Sequence, residues 1–263
     1  MIRLLFLGDI VGEPGRKAAK AVVEQMLKSG EVDFVVVNGE NAANGKGITP
    51  KIAIDLLRSG VAVITTGDHV WDQKEIVPYI PTEPRLLRPL NCPPGVPGAG
   101  SVILDTAQGK VAVMNVQCRT FMPQPLDNPF TAARDEAERL RKQTPVIFVD
   151  VHGETTSEKT AVARHLDGLV SAVVGTHTHV QTADERILPG GTAFLCDAGM
   201  CGPVDSILGR EAEPVITKFL NAMPSRFPVA RGMSQACGVV VEIDPSTGRA
   251  GSIQRVARLV EVD

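Results

Sequence analysis

The sequence predicts an α/β fold in which parallel strands alternate with helices, and three observations carry that prediction. Short β-branched runs recur along the chain, each followed by a stretch with helical spacing. Most of those runs are apolar at nearly every position, as expected of strands covered on both faces. The chain has 263 residues, 43% of them hydrophobic and 22% charged, which is enough to bury a sizeable core as a single domain over 1–263.

The elements follow in order. Ile2–Leu7 reads as the first strand, and Pro14 opens a helix that Gly30 ends. Asp33–Val37 is the second strand, after which Thr49-Pro50 caps a helix ending near Gly60. Val61–Thr65 is the third strand. The proline-rich stretch Pro78–Gly100 reads as a long irregular loop of the kind that usually serves function. Val111–Val116 then pairs with the amphipathic helix Thr131–Lys142, and Val146–Val151 with a helix capped at Ser157 and ended by Gly168. Val170–Gly175, Thr192–Cys196 and Gly238–Ile243 complete the strands.

Composition excludes several classes of function. The formal net charge of −3 with both signs interspersed is not a duplex nucleic-acid or membrane-surface footprint. Apolar runs such as Leu4–Leu7 fall far short of the roughly 20 residues of a membrane span, and the N-terminal stretch is too short for a signal peptide. The cysteines (Cys92, Cys118, Cys196, Cys201, Cys237) are odd in number and form no Cys-x-x-Cys. Reduced thiols in the cytoplasm are expected.

The reactive residues are placed in a telling way. Asp9 follows the first strand, Glu40-Asn41 the second and Asp68-His69 the third. His152 follows Val146–Val151, and His177 and His179 follow Val170–Gly175. In open α/β sheets ligands bind at the carboxyl ends of strands, and four of the five histidines lie there. Only His165 falls inside a helix, as a structural residue. A lone Asp after a strand is usually a cap, but carboxylates and imidazoles gathered over five strand ends need cations to offset their burial. Oxygen and imidazole donors without thiolate suit Mn, Fe or Zn. Asp9, Glu40, Asn41, Asp68, His152, His177 and His179 are too many for one tetrahedral ion, so two divalent ions are expected. Gly39–Gly47 and Gly8–Gly15 look like phosphate loops, but neither has the spacing of one.

Gly8-Asp9-Ile10, Asn38-Gly39-Glu40-Asn41, Gly67-Asp68-His69, His152 and Gly175-Thr176-His177-Thr178-His179 resemble the calcineurin-like metallophosphoesterases. More closely, the chain resembles the YmdB family of bacterial metallophosphoesterases. Arg88-Pro89-Leu90-Asn91, Phe121-Met122, Asp127-Asn128-Pro129-Phe130, Thr156-Ser157-Glu158-Lys159 and Asp197-Ala198-Gly199-Met200 extend the likeness over nearly the whole chain. The resemblance implies a four-layer α/β sandwich with two central sheets, and hydrolysis of cyclic nucleotides such as 2′,3′-cyclic AMP. It also implies homo-oligomers associated with biofilm and sporulation control. Asp9, Glu40, Asn41 and His179 would hold one ion, and Glu40, Asp68, His152 and His177 the other. Glu40 would bridge the two, with His69 as catalytic acid.

One position departs from the family pattern, which has Asn where this chain has Asp68. Asp ligates a hard ion well but cannot donate to a phosphate oxygen. Two alternatives follow: a metal- and nucleotide-binding regulator with little turnover, or a phosphomonoesterase. Arg88 and Arg119 are further candidates for phosphate contact, with surface ion pairs as the plainer reading. Trp71 and Tyr79 are expected to pack, and Cys196 and Cys201 to be buried and inert.

Overall fold

The computed structural model describes residues 1–262 and contains two sheets. The seven-stranded sheet runs Asp9–Ile10, Met200–Pro203, Ser234–Ile243, Ile2–Leu7, Phe34–Asn38 and Val63–Thr65, with Ala250–Val260 also paired to Ser234–Ile243. Ile2–Leu7, Phe34–Asn38 and Val63–Thr65 are parallel, as the intervening helices require. The six-stranded sheet runs Ser101–Thr106, Gly109–Gln117, Ile147–His152, Ala172–Thr176, Ala193–Leu195 and Arg186–Ile187. Its four middle strands are parallel.

Side-chain alternation sorts the layers. Leu4, Phe6, Phe34 and Val36 point from the first sheet onto Val113, Phe148 and Val174 of the second. The rings of Phe6 and Phe148 meet across that seam with centroids 4.9 Å apart. The intervening positions Leu5, Leu7, Val35 and Val37 face outward onto helices Gly12–Lys28 and Pro50–Arg58. On the far side, Met114, Val149 and Val173 pack under helices Pro129–Arg141 and Thr156–Leu166. The order helix, sheet, sheet, helix is the four-layer sandwich that the resemblance implied.

Several boundaries differ from the sequence reading. Helix Gly12–Lys28 starts two residues before Pro14, with Gly12 in the left-handed region (φ 61°) at its first position. The helix expected over Thr131–Lys142 spans Pro129–Arg141 and is capped by Asn128, whose side chain accepts from the Phe130 amide. Ser157 lies inside Thr156–Leu166, whose N-cap Thr155 makes no side-chain cap bond. The loop 78–100 is partly ordered, with a short helix Ile76–Tyr79, a 3₁₀ turn Ile80–Thr82 and a bridge from Leu87 to Ala99. Arg88 donates to the carbonyls of Pro89, Leu90, Val96 and Pro97. It therefore staples this loop, and among the described residues it pairs with no acid. Strands Ser101–Thr106 and Ala250–Val260 and helix Ala212–Asn221 have no counterpart in the sequence reading.

Trp71 and Tyr79 pack on the core as expected. All five cysteines are free, and Cys196 and Cys201 are buried, with burial pushing both thiols up. Among the described residues no helix is long and apolar enough to cross a membrane.

Candidate metal centre

The carboxyl ends of both sheets open at one point, and close backbone approach brings the side chains there. A Cβ on Gly8 would strike the Gly199 carbonyl, and one on Gly175 the Cys196 carbonyl. Glycine at these positions lets Asp9 and His177 leave their strands without a clash. A Cβ on Gly67 would occupy the space between Glu40 and His152.

Donor atoms of Glu40, Asp68, His152 and His177 all lie within 4.8 Å of one another. His152 Nε2 is 3.0 Å from Asp68 Oδ1 and 3.1 Å from Glu40 Oε2. His177 Nδ1 is 3.0 Å from His152 Nε2 and 3.4 Å from Asp68 Oδ1. Asp9 joins through the His177 amide, which donates to its Oδ2 at 3.0 Å. Asn41 Nδ2 donates to Glu40 Oε1 at 2.7 Å and lies 3.3 Å from His179 Nε2. His69 sits at the rim, with Nε2 3.8 Å from Asp68 Oδ2. His165 stays outside the centre, packed edge-on against Phe130.

Each of the three inner histidines spends its outer nitrogen elsewhere. His152 Nδ1 is 2.9 Å from Thr176 Oγ1, which itself donates to Asp150 Oδ1 and so accepts from the ring. His177 Nε2 is 3.1 Å from Glu154 Oε2, and His179 Nδ1 is 3.1 Å from the Leu208 carbonyl. These bonds occupy the outer ring nitrogens and leave Nε2 of His152, Nδ1 of His177 and Nε2 of His179 turned toward the centre, the usual supporting shell of metal-binding imidazoles. His177 (φ 110°) and His179 (φ 64°) hold left-handed backbone conformations that non-glycine residues seldom adopt.

The charges match that geometry. Burial, together with Asp9 and Asp68, pushes the Glu40 carboxyl well up. Burial acts the same way on Asp68, yet hydrogen bonds from His152 and His177 outweigh it and hold that carboxyl far down. Burial lowers His152. His177 is raised because its bond to Asp68 overcomes burial. Asp9 Oδ1 is buried with no hydrogen-bond partner. Converging imidazole nitrogens, buried acids and an orphaned carboxylate oxygen are the donor types of a divalent-cation site, and the residues fit one.

Two participants escaped the sequence reading. Glu154, two residues past His152, braces His177, and Asp72 Oδ2 lies 3.1 Å from His69 Nδ1. Their only sequence signal is an acid two or three residues after a candidate histidine.

The profile of the YmdB-like protein family matches residues 5–256. The chain is 49% identical over 255 residues to the 2′,3′-cyclic-nucleotide 2′-phosphodiesterase of Bacillus subtilis, covering 97% of this chain and 96% of that protein. A crystal structure of a hypothetical protein from Thermus thermophilus superposes with a TM-score of 0.91 at 38% identity, covering 98% of this chain and 99% of that one. A novel phosphatase from Mycoplasma pneumoniae gives 0.91 at 34%, covering 99% and 94%. With the fold and nearly the full length in common, this chain belongs to the YmdB-like protein family.

Proposed function

We propose that the chain is a metal-dependent phosphodiesterase acting on cyclic nucleotides, 2′,3′-cyclic AMP among them. The observation that carries the reading is the convergence of Glu40, Asp68, His152 and His177 at the mouth of both sheets. The B. subtilis relative, 49% identical, is named for that activity. Two ions, Mn or Fe by the oxygen and imidazole donors, fit the full set. Asp9, Glu40, Asn41 and His179 would hold one, and Glu40, Asp68, His152 and His177 the other. Such ions supply an activated water and offset charge on the phosphate oxygens.

The chain's own groups do the rest. Asp72 holds the Nδ1 side of His69, leaving Nε2 turned toward the centre. His69 is therefore placed to give a proton to the departing ribose 2′ oxygen, so that a 3′-monophosphate results. Glu154, Thr176 and the Leu208 carbonyl keep the imidazoles aligned. The five unpaired cysteines suit a reducing cytoplasm.

The test is turnover of 2′,3′-cyclic AMP by metal-stripped protein reloaded with Mn²⁺, against an unloaded control, with bound metal counted. Metal-dependent hydrolysis with 3′-AMP as product supports the reading. Two ions bound without hydrolysis would sink it in favour of a binding-only protein or another phosphoester, and failure to bind metal would sink the centre itself.

A further inference from the structure

A cavity of about 280 Å³ opens directly onto the metal centre, and its two sides differ in chemistry. Glu40, Asn41, His177 and His179 form its floor. Opposite them stand Leu208, Val215, Phe219 and Phe227 from the segment around helix Ala212–Asn221. Arg210 is the one charged side chain of that wall. Its guanidinium is already committed to the carbonyls of Asn44, Gly45 and Phe227, tying the wall to the loop that carries Asn41.

Phe219 is the anomaly on this wall. The chain has eight phenylalanines, and among them only Phe219 and Phe121 stand exposed. Phe219 is 85% accessible, whereas Val215 on the same helix is buried and Phe227 carries Lys218 over its ring at 5.1 Å. An exposed phenyl ring beside a phosphate-binding floor lies within reach of what the phosphate is attached to. The wall is mostly apolar, so it grips the face of a ring, and the Nη1 and Nη2 groups of its one charged side chain, Arg210, already hold backbone carbonyls.

We propose that Phe219 is a specificity-determining residue on which the substrate's nucleobase stacks, and that the wall requires a base without distinguishing purine from pyrimidine. The proposal rests on the phosphodiesterase reading and names its substrate class as nucleoside phosphoesters rather than phosphoesters at large. Aromatic stacking is tolerant of base identity because every base presents a π-face.

The experiment measures binding of 3′-AMP, 3′-UMP and inorganic phosphate to Mn²⁺-loaded protein by calorimetry, beside KM and kcat for 2′,3′-cyclic AMP. In Phe219→Ala, both nucleotides should bind roughly tenfold more weakly while phosphate shifts less than about twofold, and KM should rise with kcat nearly kept. Phe219→Trp should restore both. Equal weakening of all three ligands, or of none, overturns the proposal, and loss for 3′-AMP alone overturns its indifference to the base. If the wild type turns over nothing yet the base-dependent binding loss persists, the phosphodiesterase reading falls and the stacking wall stands.

Discussion

Lys159 Nζ lies 2.8 Å from Asp197 Oδ2, and neither side chain reaches solvent. The pair does more than neutralise itself. Asp197 Oδ2 also accepts the Thr178 amide and Oδ1 the Gly199 amide, while Lys159 donates to the Thr176 carbonyl. Together they pin the turn that holds His177 and His179 in their left-handed conformations. Lys159→Met leaves a buried carboxylate without its counter-charge, which costs about 3–5 kcal/mol. Urea unfolding should show that loss, and metal counting on the folded fraction should show weaker retention. A variant as stable as the wild type would remove the pair from this role.

Glu154 acts from outside the cluster, and it is half exposed. Its removal should spare the fold and affect only the aim of His177. Glu154→Ala is expected to weaken Mn²⁺ binding by about 10–100-fold, with Glu154→Gln between it and the wild type because the amide oxygen still accepts from Nε2. Titration of the stripped proteins checks this ordering.

His69 touches no other member of the cluster closely through its ring, so its loss should separate chemistry from metal binding. His69→Ala should lower kcat for 2′,3′-cyclic AMP by about 10²–10⁴-fold with metal content unchanged. Asp72→Asn, which keeps the ring but weakens its tether, should fall between. Full activity in His69→Ala would move the acid elsewhere.

Far from the centre, Arg3 donates from Nε and Nη2 to both oxygens of Asp33, at 2.9 and 2.7 Å. The Arg3 guanidinium holds that carboxyl below its ordinary value. A lowered folded-state value means that the pair's contribution is present above the ordinary carboxylate range and is lost as pH falls through the folded value. The stability gap between wild type and Asp33→Asn should therefore be constant near neutrality and close progressively below about pH 4. Urea unfolding across that range measures it.

Much of the centre was legible because strand ends are legible. Asp9, Glu40, Asp68, His152 and His177 each follow a β-branched run, and a parallel sheet must bring such positions to one edge. Glu154 and Asp72 were not, because their role depends on which imidazole nitrogen faces inward, and sequence does not carry that. Helix Ala212–Asn221 was hidden for another reason. Ile216, Phe219 and Leu220 are exposed, so its apolar residues do not mark a core-facing stripe. Ala250–Val260 was hidden by Gln254, Arg255 and Arg258, polar positions of an outer strand that break the apolar run used to find the others.

The seam closed by Phe6 and Phe148 also sorts the chemistry by parentage. Every carboxylate of the centre, Asp9, Glu40 and Asp68, hangs from the seven-stranded sheet. The inner imidazoles, His152, His177 and His179, hang from or just beyond a strand of the six-stranded one, whereas His69 follows Val63–Thr65 of the first. Each sheet by itself thus carries about half of the site, the inner carboxylates on one and the inner imidazoles on the other. Competence arises only when the two are mated in register. A lesion in the apolar seam that shifts one sheet against the other is therefore expected to draw the carboxylates away from the imidazoles.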